Sequence, residues 1–134
     1  MKNVVFVCVH NSCRSQMAEG YMRAFADDSF SVHSAGLESY PKIKDKAVEA
    51  MGLEGIDISQ QSVNTVDKLP SVTFDAVITM GCGAECPFIP ATLREDWGIE
   101  DPSGGSIDDF KKARDIIKSR VLDLIERLNE GENG

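Results

Sequence analysis

Apolar residues along this chain recur in two periods, and each change of period marks an element. Asn3 to Cys8 is a continuous apolar run containing three valines, the pattern of a strand buried on both faces of a parallel sheet. From Ser12 the spacing changes: Met17, Ala18, Tyr21, Met22 and Phe25 fall three and four apart, along one face of a helix. Phe30 to Ala35 predicts a second strand, closed by Gly36 and a loop at Pro41, and Asp45 to Met51 predicts a helix stopped by Gly52. Val63 to Leu69 suits one short helical turn. Phe74 to Met80 reads as an interior strand that runs straight into Gly81-Cys82-Gly83-Ala84-Glu85-Cys86-Pro87. Arg94 to Ile99 predicts a short fourth strand before the turn-forming stretch Asp101-Pro102-Ser103-Gly104-Gly105. Ser106 is placed to cap a final helix, whose stripe of Phe110, Ala113, Ile117, Val121, Leu124 and Leu128 continues until Gly131.

Strands alternating with helices predict an α/β fold: an open, mostly parallel four-stranded sheet with helices on both faces, formed by residues 1–134 as one domain. Such sheets bind ligands beyond the carboxyl ends of their strands. Cys8 and Met80 therefore belong to the same functional edge.

Composition narrows the chemistry. With 14 Lys and Arg against 22 Asp and Glu the formal net charge is −8, which argues against nucleic acid and anionic membrane as partners. The opening Val4 to Val9 is too short to span a bilayer and lacks a signal-peptide cleavage site, so a cytoplasmic location is expected; the chain is separately expected to be a monomer. Four cysteines in a reducing compartment are expected to be catalytic, redox-active or metal-binding rather than structural disulfides. An acidic protein that takes an anionic substrate must build local positive potential from oriented amides and an arginine.

Cys8-Val9-His10-Asn11-Ser12-Cys13-Arg14-Ser15 supplies both. A thiol at a strand end and an arginine at a helix start let the amides of Val9 to Ser15 surround one tetrahedral oxyanion, arsenate or a phosphate-like ion, while Arg14 clamps two of its oxygens. The same field favours a thiolate at Cys8, the nucleophilic form, and Ser15 can donate a further hydrogen bond to its sulfur. Read alone, Cys8 would be an ordinary buried residue and Arg14 a surface charge; the Cys-x5-Arg-Ser spacing between strand and helix favours the anion loop. Cys13 is expected to pack rather than react. Cys82 and Cys86 could bind zinc with His10 or His33, although the supply of ligands is thin and no firm metal site is expected.

Several segments together carry a resemblance over nearly the whole chain: Asn11-Ser12-Cys13-Arg14-Ser15-Gln16-Met17-Ala18-Glu19, Ser34-Ala35-Gly36, Cys86-Pro87, and Trp97-Gly98 leading to Asp101-Pro102. In these the chain resembles the thioredoxin-linked arsenate reductases, which share the fold of low-molecular-weight protein tyrosine phosphatases. The resemblance implies that Asp101 sits over the oxyanion loop and protonates the leaving oxygen. It implies that Cys82 attacks a Cys8–arsenic adduct, that Cys86 then attacks Cys82, and that thioredoxin reduces the final disulfide. No tightly bound cofactor is implied beyond that external thiol reductant. Certain relatives bind potassium beneath the loop, and Asn11, Glu19 and Ser34 match that site, with Asn64 where an acidic ligand is expected.

The chain departs from the pattern in two places. Cys82 and Cys86 are closer together than in most thioredoxin-linked relatives, some of whose kin use a low-molecular-weight thiol. His10 stands where relatives often have glycine, a position that can require positive φ. Two competing readings remain: a protein tyrosine phosphatase using Cys8, Arg14 and Asp101, and a non-enzymatic module that binds oxyanions or senses redox state.

Overall fold

The structure is a computed structural model of the 134-residue chain and describes residues 1–38, 41–81 and 88–133, with side chains through residue 130. Four strands, β1 (Lys2–Cys8), β2 (Phe30–Gly36), β3 (Phe74–Thr79) and β4 (Ala91–Asp96), alternate with α1 (Arg14–Phe25), α2 (Asp45–Gly52) and α3 (Ile107–Asn133). The sheet order is β2-β1-β3-β4 and every pairing is parallel. The expected α/β architecture is therefore borne out. Among the described residues the three α-helices share one face, and the opposite face carries a 3-10 turn (Val66–Lys68).

β1 shows why the opening apolar run is unbroken. Val4, Phe6 and Cys8 point into the core formed with α1, α2 and α3, while Val5 and Val7 point to the other face beside Phe74, Val77 and Leu69. Val4 through Val7 are all fully buried. At roughly 1.5–3 kcal/mol for each large aliphatic side chain removed from water, this central strand is the anchor from which Cys8 projects.

The fourth strand lies three residues earlier than the predicted Arg94 to Ile99. Pro90, which cannot donate to the ladder, precedes it; Ala91 pairs with Phe74 and Asp96 with Thr79. Its residues alternate between half-buried and exposed, as suits an edge strand. After Asp96 the backbone turns through Gly98 at φ 57°, so Trp97 and Ile99 are buried by the turn rather than by a strand. The second helix includes Gly52, and the chain reverses at Gly55, φ 78°. The third helix runs past Gly131 to Asn133.

The two long helices begin differently. At α3, Ser106 N donates to Asp109 Oδ2 (3.0 Å) and Asp109 N donates to Ser106 Oγ (3.4 Å), a reciprocal cap. At α1 the capping position is Cys13, with no side-chain cap bond. The first amides of α1 are thus left for a ligand.

His33, half-buried on β2, packs edge-on against Phe74 with ring centroids 5.8 Å apart. Burial, then the Arg23 charge, push its pKa below the ordinary imidazole value, with Glu19 opposing in part. A base whose folded pKa is depressed binds fewer protons than it does unfolded, so folding stability falls as pH drops through the unfolded value. Urea midpoints measured between about pH 7.5 and 5.5 are expected to decline in the wild type and to decline less in His33→Gln.

Candidate active site

Cys8, at the carboxyl end of β1, is buried, and its Sγ meets two polar atoms: Asn11 N donates to it at 3.2 Å and Ser15 Oγ lies 2.9 Å away. Which way the Ser15 proton points follows from the bonds behind it. The amide of Asn64 can only donate, and it lies 2.8 Å from the Asn11 side-chain oxygen. Gln16 Nε2 donates to the same oxygen at 3.1 Å. The other end of the Asn11 side chain is therefore its NH2, and it donates to Ser15 Oγ at 2.8 Å. Ser15 then has its own hydroxyl proton to give, and the sulfur receives it. Both neighbours of Cys8 are thus placed as hydrogen-bond donors to its sulfur.

The loop owes its shape to a single unusual residue. Among the described residues Asn11 alone is a non-glycine with positive φ, at 54°, a conformation asparagine accepts more readily than most. The concern over His10 is thereby corrected: the left-handed position is the next residue, and His10 instead pairs with Glu38, Nε2 to Oε2 3.1 Å. Gly36 presses against the loop from β2. A Cβ there would lie 2.7 Å from the His10 carbonyl carbon and 2.8 Å from Asn11 N. Leu37 N and Glu38 N both donate to Val9 O, at 2.7 and 3.0 Å, and Ser12 O accepts from Lys44 N at 2.8 Å.

Arg14 opens α1, buried, with its guanidinium fixed by main-chain carbonyls. Nη1 donates to Met80 O (2.5 Å) and to Ile99 O (2.8 Å), which uses both of its hydrogens. The Nε–Nη2 edge is left as the one that can grip two oxygens of an anion. Asp101 Oδ2 stands 3.8 Å from Nη2, so the Asp-Pro loop lies beside the arginine. Burial raises the Asp101 pKa, but the Ser103 amide and hydroxyl, Arg14 and His10 together outweigh it, and the net shift is downward. In the resting site Asp101 is a carboxylate, which any role as an acid must accommodate.

Cys13 behaves as expected of a packing residue: it joins the core, and burial above all, with Asp101 and Cys8 adding to it, pushes its thiol pKa far up. Cys82 and Cys86 lie outside the described residues. The chain enters that segment at Gly81, whose Cβ position would be 3.8 Å from Arg14 Nη1.

The candidate cation ligands are committed to other partners. Glu19 is buried; its Oε1 accepts from Ser34 Oγ (2.5 Å) and its Oε2 from Arg23 Nε (2.7 Å). Asn11 Oδ1 already accepts two N–H groups. The guanidinium of Arg23 supplies the positive charge that a potassium ion would bring, so these residues do not fit that ion as they stand. Among the described residues no group of three His, Cys, Asp or Glu side chains could hold a metal.

The sequence motifs give no role to Gln16, Met80 or Ile99, and mark Asn64 only as standing where an acidic cation ligand is expected. Gln16 Nε2 has two hydrogens: one is shared between Asn11 Oδ1 and Asn11 O (2.9 Å) and the other goes to Ser62 O (2.8 Å), bolting the loop to the segment after α2. A buried glutamine in a helix's first turn was the one signal available. Asn64, Met80 and Ile99 act through the main chain, which no side-chain motif reveals.

Residues 3–133 match the low molecular weight phosphotyrosine protein phosphatase family, and the chain belongs to it. Within that family it is similar to proteins named as arsenate reductases. The glutaredoxin arsenate reductase of Synechocystis sp. (strain ATCC 27184 / PCC 6803 / Kazusa) is 39% identical over 132 residues, covering 96% of this chain and 100% of that protein. Two solved structures superpose closely: an arsenate reductase in the phosphate binding state (TM-score 0.85, 39% identity, 95% and 98% of the two chains) and one in the oxidized state (TM-score 0.87, 38% identity, 95% and 98%). The resemblance carried by the sequence motifs is borne out.

If the Asn11–Ser15–Cys8 chain holds the sulfur as a thiolate, Ser15→Ala and Asn11→Ala should each slow iodoacetamide alkylation of Cys8 at neutral pH by about fivefold or more, as fits loss of a hydrogen bond to a charged group. The rate is read from the Cys8 peptide by mass spectrometry.

Proposed function

We propose that this protein is an arsenate reductase that binds arsenate in the Cys8–Ser15 loop and reduces it with its own thiols. The observation that carries the reading is the Cys8 sulfur facing two donors, beside an arginine edge shaped for a tetrahedral anion. The chain's relatives of similar length are named for arsenate reduction.

Loop amides of Val9 to Ser15 and the uncapped start of α1 receive the oxyanion, and the Nε–Nη2 edge of Arg14 takes two oxygens. The Cys8 thiolate attacks arsenic and one arsenic oxygen leaves as water. Asp101 starts as a carboxylate, but the bound anion takes over the arginine's charge and adds a like charge beside it; both favour transfer of a proton from the substrate to Asp101 and thence to the leaving oxygen. Cys82 thiolate then attacks the Cys8 sulfur. The sulfur–arsenic bonding pair passes to arsenic, As(V) becomes As(III), arsenite departs and a Cys8–Cys82 disulfide remains. Attack of Cys86 on Cys82 frees Cys8 and leaves a Cys82–Cys86 disulfide for an external thiol to reduce. Chain connectivity supports this order of reach, because Cys82 follows Gly81 directly.

The external reductant is a dithiol or thiol protein of the thioredoxin class; the name of the Synechocystis relative makes glutaredoxin with glutathione the other donor to assay. The cytoplasm is the compartment that keeps such thiols reduced, and no helix among the described residues is long and apolar enough to cross a membrane.

The phosphatase reading shares Cys8, Arg14 and Asp101. It gains little from the neighbourhood of the Asp-Pro loop, since Trp97 is a core residue packed on Phe6 at 5.8 Å rather than a wall for an aryl ring.

With arsenate and a coupled reductase system, NADPH consumption is expected in the wild type and should be abolished by Cys8→Ser, Cys82→Ser and Cys86→Ser alike. Asp101→Asn should lower kcat by about a hundredfold, the usual scale of a general acid. Hydrolysis of p-nitrophenyl phosphate that survives in the Cys82→Ser, Cys86→Ser double variant, with no arsenate turnover in the wild type, would instead identify a phosphatase.

A further inference from the structure

Arg14 is aimed by the carbonyl of Met80, and that carbonyl belongs to the same peptide group as the amide of Gly81. The amide donates to Asp96 Oδ1 at 2.7 Å, across fifteen residues of sequence. The same oxygen accepts from Gly98 N at 3.2 Å. One carboxylate oxygen therefore holds the two backbone turns that follow β3 and β4, at Gly81 (φ 99°) and Gly98 (φ 57°). The order of atoms is Asp96 Oδ1, Gly81 N–H, Met80 C=O, Arg14 Nη1. A negative group at one end and a positive group at the other polarise the peptide between them, and both bonds strengthen.

We propose that Asp96 is a positioning residue for oxyanion binding: by fixing the Met80–Gly81 peptide plane it fixes the direction in which the Arg14 guanidinium points. The inference rests on the reading of the Cys8 loop as an oxyanion site. Asp96 touches neither the anion nor Cys8. It is exposed at the end of β4, and its side chain contributes nothing to the apolar core. Backbone amides alone join it to the site: Gly81 N, whose peptide carries the Met80 carbonyl, and Gly98 N, in the turn before Ile99. Should that peptide rotate, Nη1 loses its shorter tether, the guanidinium keeps only the Ile99 carbonyl, and the Nε–Nη2 edge swings away from the loop amides. A bidentate contact depends on that angle far more than a point charge would.

The test measures how inorganic phosphate protects Cys8 from iodoacetamide, following the Cys8 peptide by mass spectrometry in the full-length protein. Asp96→Ala should raise the half-protecting phosphate concentration about tenfold, the effect of roughly one hydrogen bond. Asp96→Asn keeps an oxygen that accepts from both amides and should stay within about twofold of the wild type. Asp96→Glu keeps the charge but moves the oxygen by about one methylene length, so it should lose protection as the alanine variant does; it also serves as the second probe if Asp96→Ala does not fold. Equal midpoints for Asp96→Ala and wild type would overturn the assignment, and so would Asp96→Asn behaving like Asp96→Ala. Absence of phosphate protection in the wild type would overturn the oxyanion reading itself.

Discussion

Ser15 Oγ lies 2.8 Å from the Asn11 amide nitrogen and 2.9 Å from the Cys8 sulfur, and it has one proton to place between them. That proton goes to sulfur because the nitrogen is already a donor, and the nitrogen is a donor because the backbone amide of Asn64 claims the oxygen at the other end of the same side chain. A main-chain group far along the sequence thereby decides which way the hydrogen bond at the Cys8 sulfur runs. Three donors in series, each with its direction fixed by the one behind it, give a site prepared for an anion before the anion arrives. Such preorganisation is what electrostatic catalysis requires.

The surrounding architecture serves this chain of bonds. Asn11, Ser12, Arg14, Ser15, Gln16 and Glu19 are all buried polar residues within one short stretch, which would be costly unless every group were paired. Among the described residues no buried side-chain nitrogen or oxygen lacks a partner. Gly36 allows the loop to lie on β2 at a distance no side chain would permit, and Glu19 with Ser34 and Arg23 closes the helix against the same strand. The cap that α1 lacks and α3 has is the complement of this arrangement: one helix start is sealed, the other is left for a ligand.

Much of this was legible in the sequence, for physical reasons. The two-faced burial of β1 is written as consecutive valines, and Cys8 through Ser15 announce a strand, loop and helix start by residue type alone. The edge strand was misplaced by three residues because alternation in Ala91 to Asp96 is weak, while Trp97 and Ile99 are apolar through the turn that buries them. The left-handed residue was sought at His10, where a side chain replaces glycine, and found at Asn11, whose amide serves both conformation and hydrogen bonding. Main-chain partners such as Met80 O, Ile99 O and Asn64 N have no signature in side-chain chemistry, and the pairing of Arg23 with Glu19 becomes visible only in the structure.

In the proposed reaction the Cys8 sulfur attacks arsenic and its oxidation passes to Cys82 and Cys86. The most direct test is intact-mass analysis of the fully reduced wild-type protein after one equivalent of arsenate, with no external reductant present. The account predicts arsenite in solution and a protein lighter by about two hydrogens, with the disulfide mapped to Cys82 and Cys86. Unchanged mass with arsenate recovered intact, or a disulfide that excludes both of those cysteines, would contradict it.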